Sequence, residues 1–150
     1  MILLSFNLPR LGGGPKCSAF KWLLESSGPS IVFLQETMMS GLVACDFFLK
    51  LCPNWYVSAI DACGDSGGTL VGWNPTVADL RAYNTGAGFL LFGNLKGFEV
   101  PVHLLNVYGP YSHRVNFWND ILTTGIISLP NLILVGDLNF TWSAAEVWGS

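Results

Sequence analysis

Gly28-Pro29-Ser30-Ile31-Val32-Phe33-Leu34-Gln35-Glu36-Thr37 is the stretch whose reading decides the fold. Four consecutive apolar residues lie between a helix-ending Gly-Pro and the polar Gln-Glu-Thr, the pattern of a short buried strand. Upstream, Phe20, Leu23 and Leu24 fall at helical spacing between Lys16 and Glu25, and Gly28-Pro29 is the stop. Before that helix, Ile2 to Phe6 is another short apolar run ending at Asn7, after which Pro9, Gly12, Gly13 and Gly14 break regular structure. Strand, helix, strand in this order predicts an α/β layer.

Downstream, Leu42 to Leu51 reads as a helix stopped by Pro53 and Asn54. Short β-like runs follow at Trp55 to Ile60, Thr69 to Trp73, Val77 to Tyr83, Phe89 to Phe92 and Val100 to Val107, separated by turn-forming Gly, Asn, Asp and Pro clusters. One of these turn clusters is Gly64-Asp65-Ser66-Gly67-Gly68. A further helix is expected from Arg114 to Leu122, and Leu132 to Val135 is a buried strand that ends at Gly136-Asp137-Leu138-Asn139. The antiparallel strands are thus inserted between α/β units, with no repeat or linker.

The chain of 150 residues is 51% hydrophobic and only 11% charged. That excess of apolar surface calls for strands covered on both faces, with one covering layer expected to be absent from this chain. A membrane span does not account for it, because Thr123, Thr124, Gly125, Pro130 and Asn131 interrupt the best uncharged interval. The amino terminus lacks a signal-peptide pattern, so we expect an intracellular chain that is not secreted, with the nucleus a candidate compartment. A formal charge of −3 is no basic footprint for tight nucleic-acid binding. Cys17, Cys45, Cys52 and Cys63 show neither Cys-x-x-Cys spacing nor a nearby histidine, which points to buried reduced thiols.

Asn7, Glu36, Tyr108, Asp137 and Asn139 all stand at the carboxyl ends of apolar strands. Strand ends in layered α/β folds converge on one rim, so these side chains can meet although they are far apart in sequence. The set suits phosphodiester hydrolysis. Glu36 is a hard oxygen ligand for a divalent cation such as Mg²⁺, which takes one or two protein carboxylates and completes its shell with water and phosphate. Asp137 is suited to orient or deprotonate water, Asn7 and Asn139 to position a carboxylate, a water or a phosphate oxygen, and Tyr108 to donate to the phosphate. Each residue also has a plainer reading, since Asn and Asp are common in turns and a Tyr beside Gly-Pro is commonly a packing residue.

Ser5-Phe6-Asn7, Phe33-Leu34-Gln35-Glu36-Thr37, Asn106-Val107-Tyr108-Gly109-Pro110 and Gly136-Asp137-Leu138-Asn139-Phe140 resemble, in order and spacing, the motifs of the endonuclease/exonuclease/phosphatase superfamily. The segments Ser66 to Pro75 and Phe117-Trp118 look like the version found in plant LINE-type retrotransposons. The resemblance implies a DNase I-like four-layer α/β/β/α sandwich with mixed, mostly antiparallel sheets, Mg²⁺ or Mn²⁺ dependence, and DNA as the ancestral substrate. It also implies Glu36 and Asn7 as metal-site residues, Tyr108 near the scissile phosphate, Asp137 orienting the water, and Asn139 supporting the transition state. Two departures stand out. Phe6 replaces the family's Trp and Leu8-Pro9 its charged residue, and the family's late Ser-Asp-His segment has no counterpart here. His103 and His113 precede Asp137 and read as structural or surface residues.

We therefore expect residues 1–150 to form a single incomplete domain, of endonuclease type and without activity of its own, or else a non-catalytic remnant with weak metal or nucleic-acid binding. Gly64-Asp65-Ser66-Gly67-Gly68 spells the surroundings of a protease nucleophile, but no histidine precedes Ser66 to serve as base, and the composition is that of a tight turn. Gly12-Gly13-Gly14 lacks the P-loop pattern.

Overall fold

The computed structural model describes residues 1–9, 14–63 and 66–139. Strand β1 (Leu3–Asn7) leads through helix α1 (Gly14–Ser27) into β2 (Ile31–Gln35), and the two strands run parallel with Leu3 opposite Ile31 and Asn7 opposite Gln35. Parallel neighbours need a long return connection, which α1 supplies. All five residues of β2 are buried, the four apolar ones as their unbroken run requires and Gln35 with them. Helix α2 (Gly41–Leu51) follows. Its N-cap Ser40 makes no side-chain bond, and Asp61 from the neighbouring strand accepts the Gly41 N–H instead, at 2.5 Å. The hairpin of β3 (Tyr56–Cys63) and β4 (Ser66–Trp73) joins β2 edge to edge, giving a mixed sheet in the order β1-β2-β4-β3.

The second half repeats this logic in a different order. Strands β5 (Ala78–Thr85), β6 (Gly88–Leu95) and β7 (Val102–Tyr108) form an antiparallel meander. Helix α3 (Arg114–Thr123) and a 3₁₀ turn (Ile126–Ser128) then return the chain as β8 (Leu132–Asp137), parallel to β7, with Tyr108 opposite Asp137. The second sheet has the order β5-β6-β7-β8.

Period-two alternation sorts the side chains into layers. Ile31, Phe33, Val71, Leu80, Phe89, Leu91 and Leu104 fill the space between the two sheets. Val32, Leu34 and Leu70 point the other way, onto Phe20 and Leu24 of α1 and Ala44 and Phe48 of α2. Leu8 is buried in this second core, while Phe6 stays 39% exposed. Helix α3 buries Ile121. A groove of about 580 Å³, lined among others by Trp118, Leu122, Leu134 and Leu138, separates it from β8. The four layers of the expected sandwich are therefore present, and among the described residues β8 is a sheet edge, with Ile133 and Leu134 partly exposed.

Three expectations need correction. Leu132 to Val135, expected as a buried strand, has no buried residue, because β8 is a sheet edge among the described residues. The cluster 64–68 is not wholly a turn, because β4 starts at Ser66. The cysteines are not uniformly buried: Cys52 is, Cys17 and Cys45 are half-buried, and Cys63 is exposed. Burial pushes the Cys52 thiol up, and burial together with Asp46 does the same for Cys45, so both stay protonated at neutral pH. Among the described residues no helix is long and apolar enough to cross a membrane.

Candidate active site

Two β-α-β units face each other across the inter-sheet core, β1-α1-β2 from one sheet and β7-α3-β8 from the other. In a parallel pair both strands end on the same side. The carboxyl ends of β1, β2, β7 and β8 consequently share one rim, and that rim carries Asn7, Glu36, Tyr108 and Asp137.

Contacts across the rim join the sheets. Asn7 Nδ2 donates to Asp137 Oδ2 at 2.7 Å, spanning 130 residues of sequence. The Tyr108 hydroxyl donates to Glu36 Oε1 through a short bond. Tyr111, on the loop after β7, donates to that same oxygen at 3.2 Å. The carboxylate oxygens of Asp137 are both engaged, Oδ2 by Asn7 and Oδ1 by the Asn139 backbone N–H at 2.9 Å. Asn139 takes a left-handed backbone (φ 49) and its side-chain amide donates to the Gly109 carbonyl, which locks the turn after β8 to the turn after β7.

The electrostatics follow from this wiring. Partial burial and the Glu36 carboxylate both favour the neutral phenol and push the Tyr108 hydroxyl well above the usual tyrosine range, so it remains a donor at any physiological pH. Glu36 itself is nearly buried, 8% exposed, in a left-handed conformation (φ 57). Non-glycine residues rarely adopt that conformation, and here the surroundings enforce it. The N–H groups of Thr37 and Met38 donate to the carbonyls of Gly68 and Gly67, each at 3.1 Å. Both glycines have positive φ, and a Cβ on Gly68 would stand 2.4 Å from the Thr37 hydroxyl oxygen. The glycine pair, read from composition as part of a tight turn, therefore cradles the turn that presents Glu36.

Two oxygens remain unspent. Asn7 Oδ1 is buried without a hydrogen-bond partner, and Glu36 Oε2 takes none of the hydrogen bonds among the described residues, since both phenols go to Oε1. A buried acceptor left unpaired is costly unless something occupies it. Among the described residues no three His, Cys, Asp or Glu side chains cluster as a metal cage. Two carboxylates with an amide oxygen suit Mg²⁺ or Mn²⁺, which keep several waters, better than a closed zinc site.

Against this geometry the solved structures most like the chain fall into place. AP endonuclease LMAP from Leishmania major superposes with a TM-score of 0.65 at 18% identity, covering 91% of this chain and 54% of that one. An AP endonuclease from Archaeoglobus fulgidus gives 0.68 at 15%, covering 99% and 62%. The fold is DNase I-like. TDP2 from D. rerio, solved with a single-strand DNA product, gives 0.65 at 13%, covering 93% and 60%. The chain thus spans between half and two thirds of the length of these DNase I-like structures. No protein-family model matches the chain, and no curated protein does.

All five sequence-predicted site residues come together at the rim of the DNase I-like sandwich. The histidines do not. His103 lies at the opposite end of β7, on the order of 17 Å from Tyr108 at strand rise, with its ring stacked on Phe92 and Nδ1 2.7 Å from the Pro130 carbonyl. His113 caps α3 in a left-handed conformation (φ 55). Sequence reasoning missed Tyr111 and Gly67-Gly68. Tyr111 had a signal in its place three residues after Tyr108, beyond the Gly-Pro turn, but its partner Glu36 is 75 residues away.

Proposed function

We propose that the chain derives from a divalent-metal-dependent phosphodiester hydrolase of DNA-endonuclease type, with plant LINE-type retrotransposon ancestry, and that residues 1–150 form a single incomplete domain with negligible turnover by itself. One observation carries the reading. Four strand ends from two sheets deliver Glu36, Asn7, Asp137 and Tyr108 to one rim, and two acceptor oxygens there, Glu36 Oε2 and Asn7 Oδ1, take no hydrogen bond among the described residues. The likeness to structures named AP endonuclease, and to one holding a DNA product, supports the substrate class.

Glu36 Oε2 and Asn7 Oδ1 would hold the cation. A bound Mg²⁺ or Mn²⁺ supplies charge stabilisation for the phosphate and the leaving oxygen. The chain's own residues do the positioning. Asn7 and the Asn139 N–H fix the Asp137 carboxylate so that a remaining lone pair can take a proton from an attacking water. Tyr108 and Tyr111 each give their single O–H to Glu36 Oε1, which fixes the Glu36 rotamer and leaves Oε2 for the cation. Among the described residues no imidazole faces this rim, which is the observation favouring the second reading, a non-catalytic remnant that binds metal weakly. Losing one such charge-stabilising donor typically lowers rate by about 100- to 1,000-fold.

The test is nicking of supercoiled plasmid with Mg²⁺ against EDTA, alongside Mn²⁺ binding followed by water-proton relaxation, for wild type and Glu36→Ala. We expect Mn²⁺ binding that Glu36→Ala weakens, with nicking at background. Robust Mg²⁺-dependent nicking abolished by Glu36→Ala would overturn the claim of inactivity, and Mn²⁺ binding indifferent to Glu36→Ala would overturn the metal site.

A further inference from the structure

Directly beneath the rim lies a second layer that nothing in the site chemistry uses. Two residues before Asn7 is Ser5, one before Glu36 is Gln35, and two before Tyr108 is Asn106. Alternation along the strands turns Gln35 and Asn106 into the inter-sheet gap, where everything deeper is apolar, while Ser5 on the edge strand β1 stays exposed. Gln35 and Asn106 are 1% and 0% exposed. Gln35 Nε2 donates to Asn106 Oδ1 at 2.7 Å, across the gap from one sheet to the other, and also approaches Ser5 Oγ at 3.3 Å. Asn106 Nδ2 and the neighbouring Thr69 hydroxyl are buried without partners. Such a layer is an expensive way to fill a core, because a buried amide left half-satisfied costs more than an apolar side chain of equal size.

Its position gives a reason for that expense. The candidate site is split, with Asn7 and Glu36 on one sheet and Tyr108 and Asp137 on the other. Any sliding of one sheet over the other pulls it apart. Apolar packing between sheets is non-directional and tolerates small offsets, whereas a hydrogen bond weakens steeply with distance and angle. We propose that the Gln35–Asn106 pair is a positioning clamp that fixes the offset of the two sheets, and thereby holds the metal-binding half of the rim in register with the Asp137 half. This rests on the metal-dependent reading above. Neither residue touches the cation or the substrate; both act through Glu36, Asn7 and Tyr108.

The clamp separates stability from site geometry, which a merely structural pair would not. In Gln35→Leu/Asn106→Leu both amides are replaced together, so neither amide is left orphaned and the fold should keep or raise its melting temperature. The side-chain amide protons of Asn7, bonded to Asp137 in the metal-free protein, should lose their downfield NMR shift. Mn²⁺ affinity should fall about 10- to 100-fold, as when other groups behind metal ligands are removed. The exchanged pair, Gln35→Asn with Asn106→Gln, keeps the combined length and should restore both readouts to within about threefold. If the double-leucine chain does not fold, Gln35→Met, similar in length and without the Nε2 donor, makes the same comparison. An unchanged Asn7 amide shift in the folded variant overturns the clamp. Wild-type Mn²⁺ binding that ignores Glu36→Ala overturns the metal reading instead, and the metal-free Asn7 shift then still decides the clamp.

Discussion

Gly136→Ala is the substitution for which the structure gives the sharpest expectation. Gly136 has φ 117, and an added Cβ would stand 2.0 Å from the Val107 carbonyl oxygen and 3.0 Å from Asn106 Oδ1. The obstacle at 2.0 Å is backbone in the partner strand, which has no rotamer to change. Relief requires the β7–β8 pair to separate by about an ångström, given that real Cβ contacts begin near 3 Å. The backbone conformation alone costs about 1–3 kcal/mol for a residue with a side chain. Loosening one ladder hydrogen bond adds about 1 kcal/mol. A total of about 2–4 kcal/mol is a large share of the 5–15 kcal/mol that typically holds a domain together. The assay is urea unfolding followed by tryptophan fluorescence, with Gly86→Ala as control, because Gly86 has open space around it and no positive φ. The control should be neutral or stabilised by up to about 1 kcal/mol. A Gly136→Ala protein with an unchanged urea midpoint would refute the reasoning. A protein that folds at reduced stability should also bind Mn²⁺ more weakly, since Asp137 is the next residue.

Other outcomes follow from single contacts. Asp61→Ala removes the acceptor of the Gly41 N–H and should cost about 1 kcal/mol in thermal unfolding. Tyr108 ionises near pH 10 when unfolded and higher when folded, so its contribution is complete below about pH 10 and is lost as pH rises beyond it; Tyr108→Phe should flatten the fall in stability above pH 10, read from melting temperatures at pH 9 to 12. Tyr111→Phe removes the weaker of two bonds to Glu36 and should change Mn²⁺ affinity less than Tyr108→Phe does, read by the same relaxation titration. Gly68→Ala should destabilise by about 1–3 kcal/mol through its left-handed φ and should disturb the Glu36 turn, seen as weakened Mn²⁺ binding.

Legibility in the sequence divides along a physical line. Strands such as Ile31–Gln35 and Leu132–Asp137 were readable because apolar runs bounded by polar or glycine residues need no knowledge of partners. The five candidate site residues could be picked out because each stands at or just past the end of such a strand. What could not be read was anything fixed by contact between distant segments. Gly67 and Gly68 have turn composition whatever they face, and only the docking of residues 37 and 38 against them shows their role. Tyr111 is one exposed aromatic among many until Glu36 is placed beside it. Gln35 and Asn106 lay inside quoted motifs, yet each looked like a flank to a functional neighbour, because their hydrogen bond crosses 71 residues of sequence and two sheets.

The same division explains why the rim is wired as it is. In each β-α-β unit the local sequence sets where a strand ends, so the Asn7–Gln35 and Tyr108–Asp137 alignments follow from the parallel registers within a sheet. Nothing local sets one sheet against the other. That offset is decided by inter-sheet packing and by the few directional bonds across the gap, namely Asn7–Asp137, Tyr108–Glu36, Tyr111–Glu36 and Gln35–Asn106. Three of these four use side chains that would bind metal or direct water, so in the metal-free protein the candidate site residues hold their own scaffold together. A cation that draws on Glu36 and Asn7 must compete with that role or be accommodated by the oxygens left over. The unpartnered Asn7 Oδ1 and the open Oε2 of Glu36 permit accommodation. Mn²⁺ binding should therefore leave the Asn7 amide bond to Asp137 intact, and loss of that amide signal on saturation would show that the cation and the scaffold compete for the same atoms.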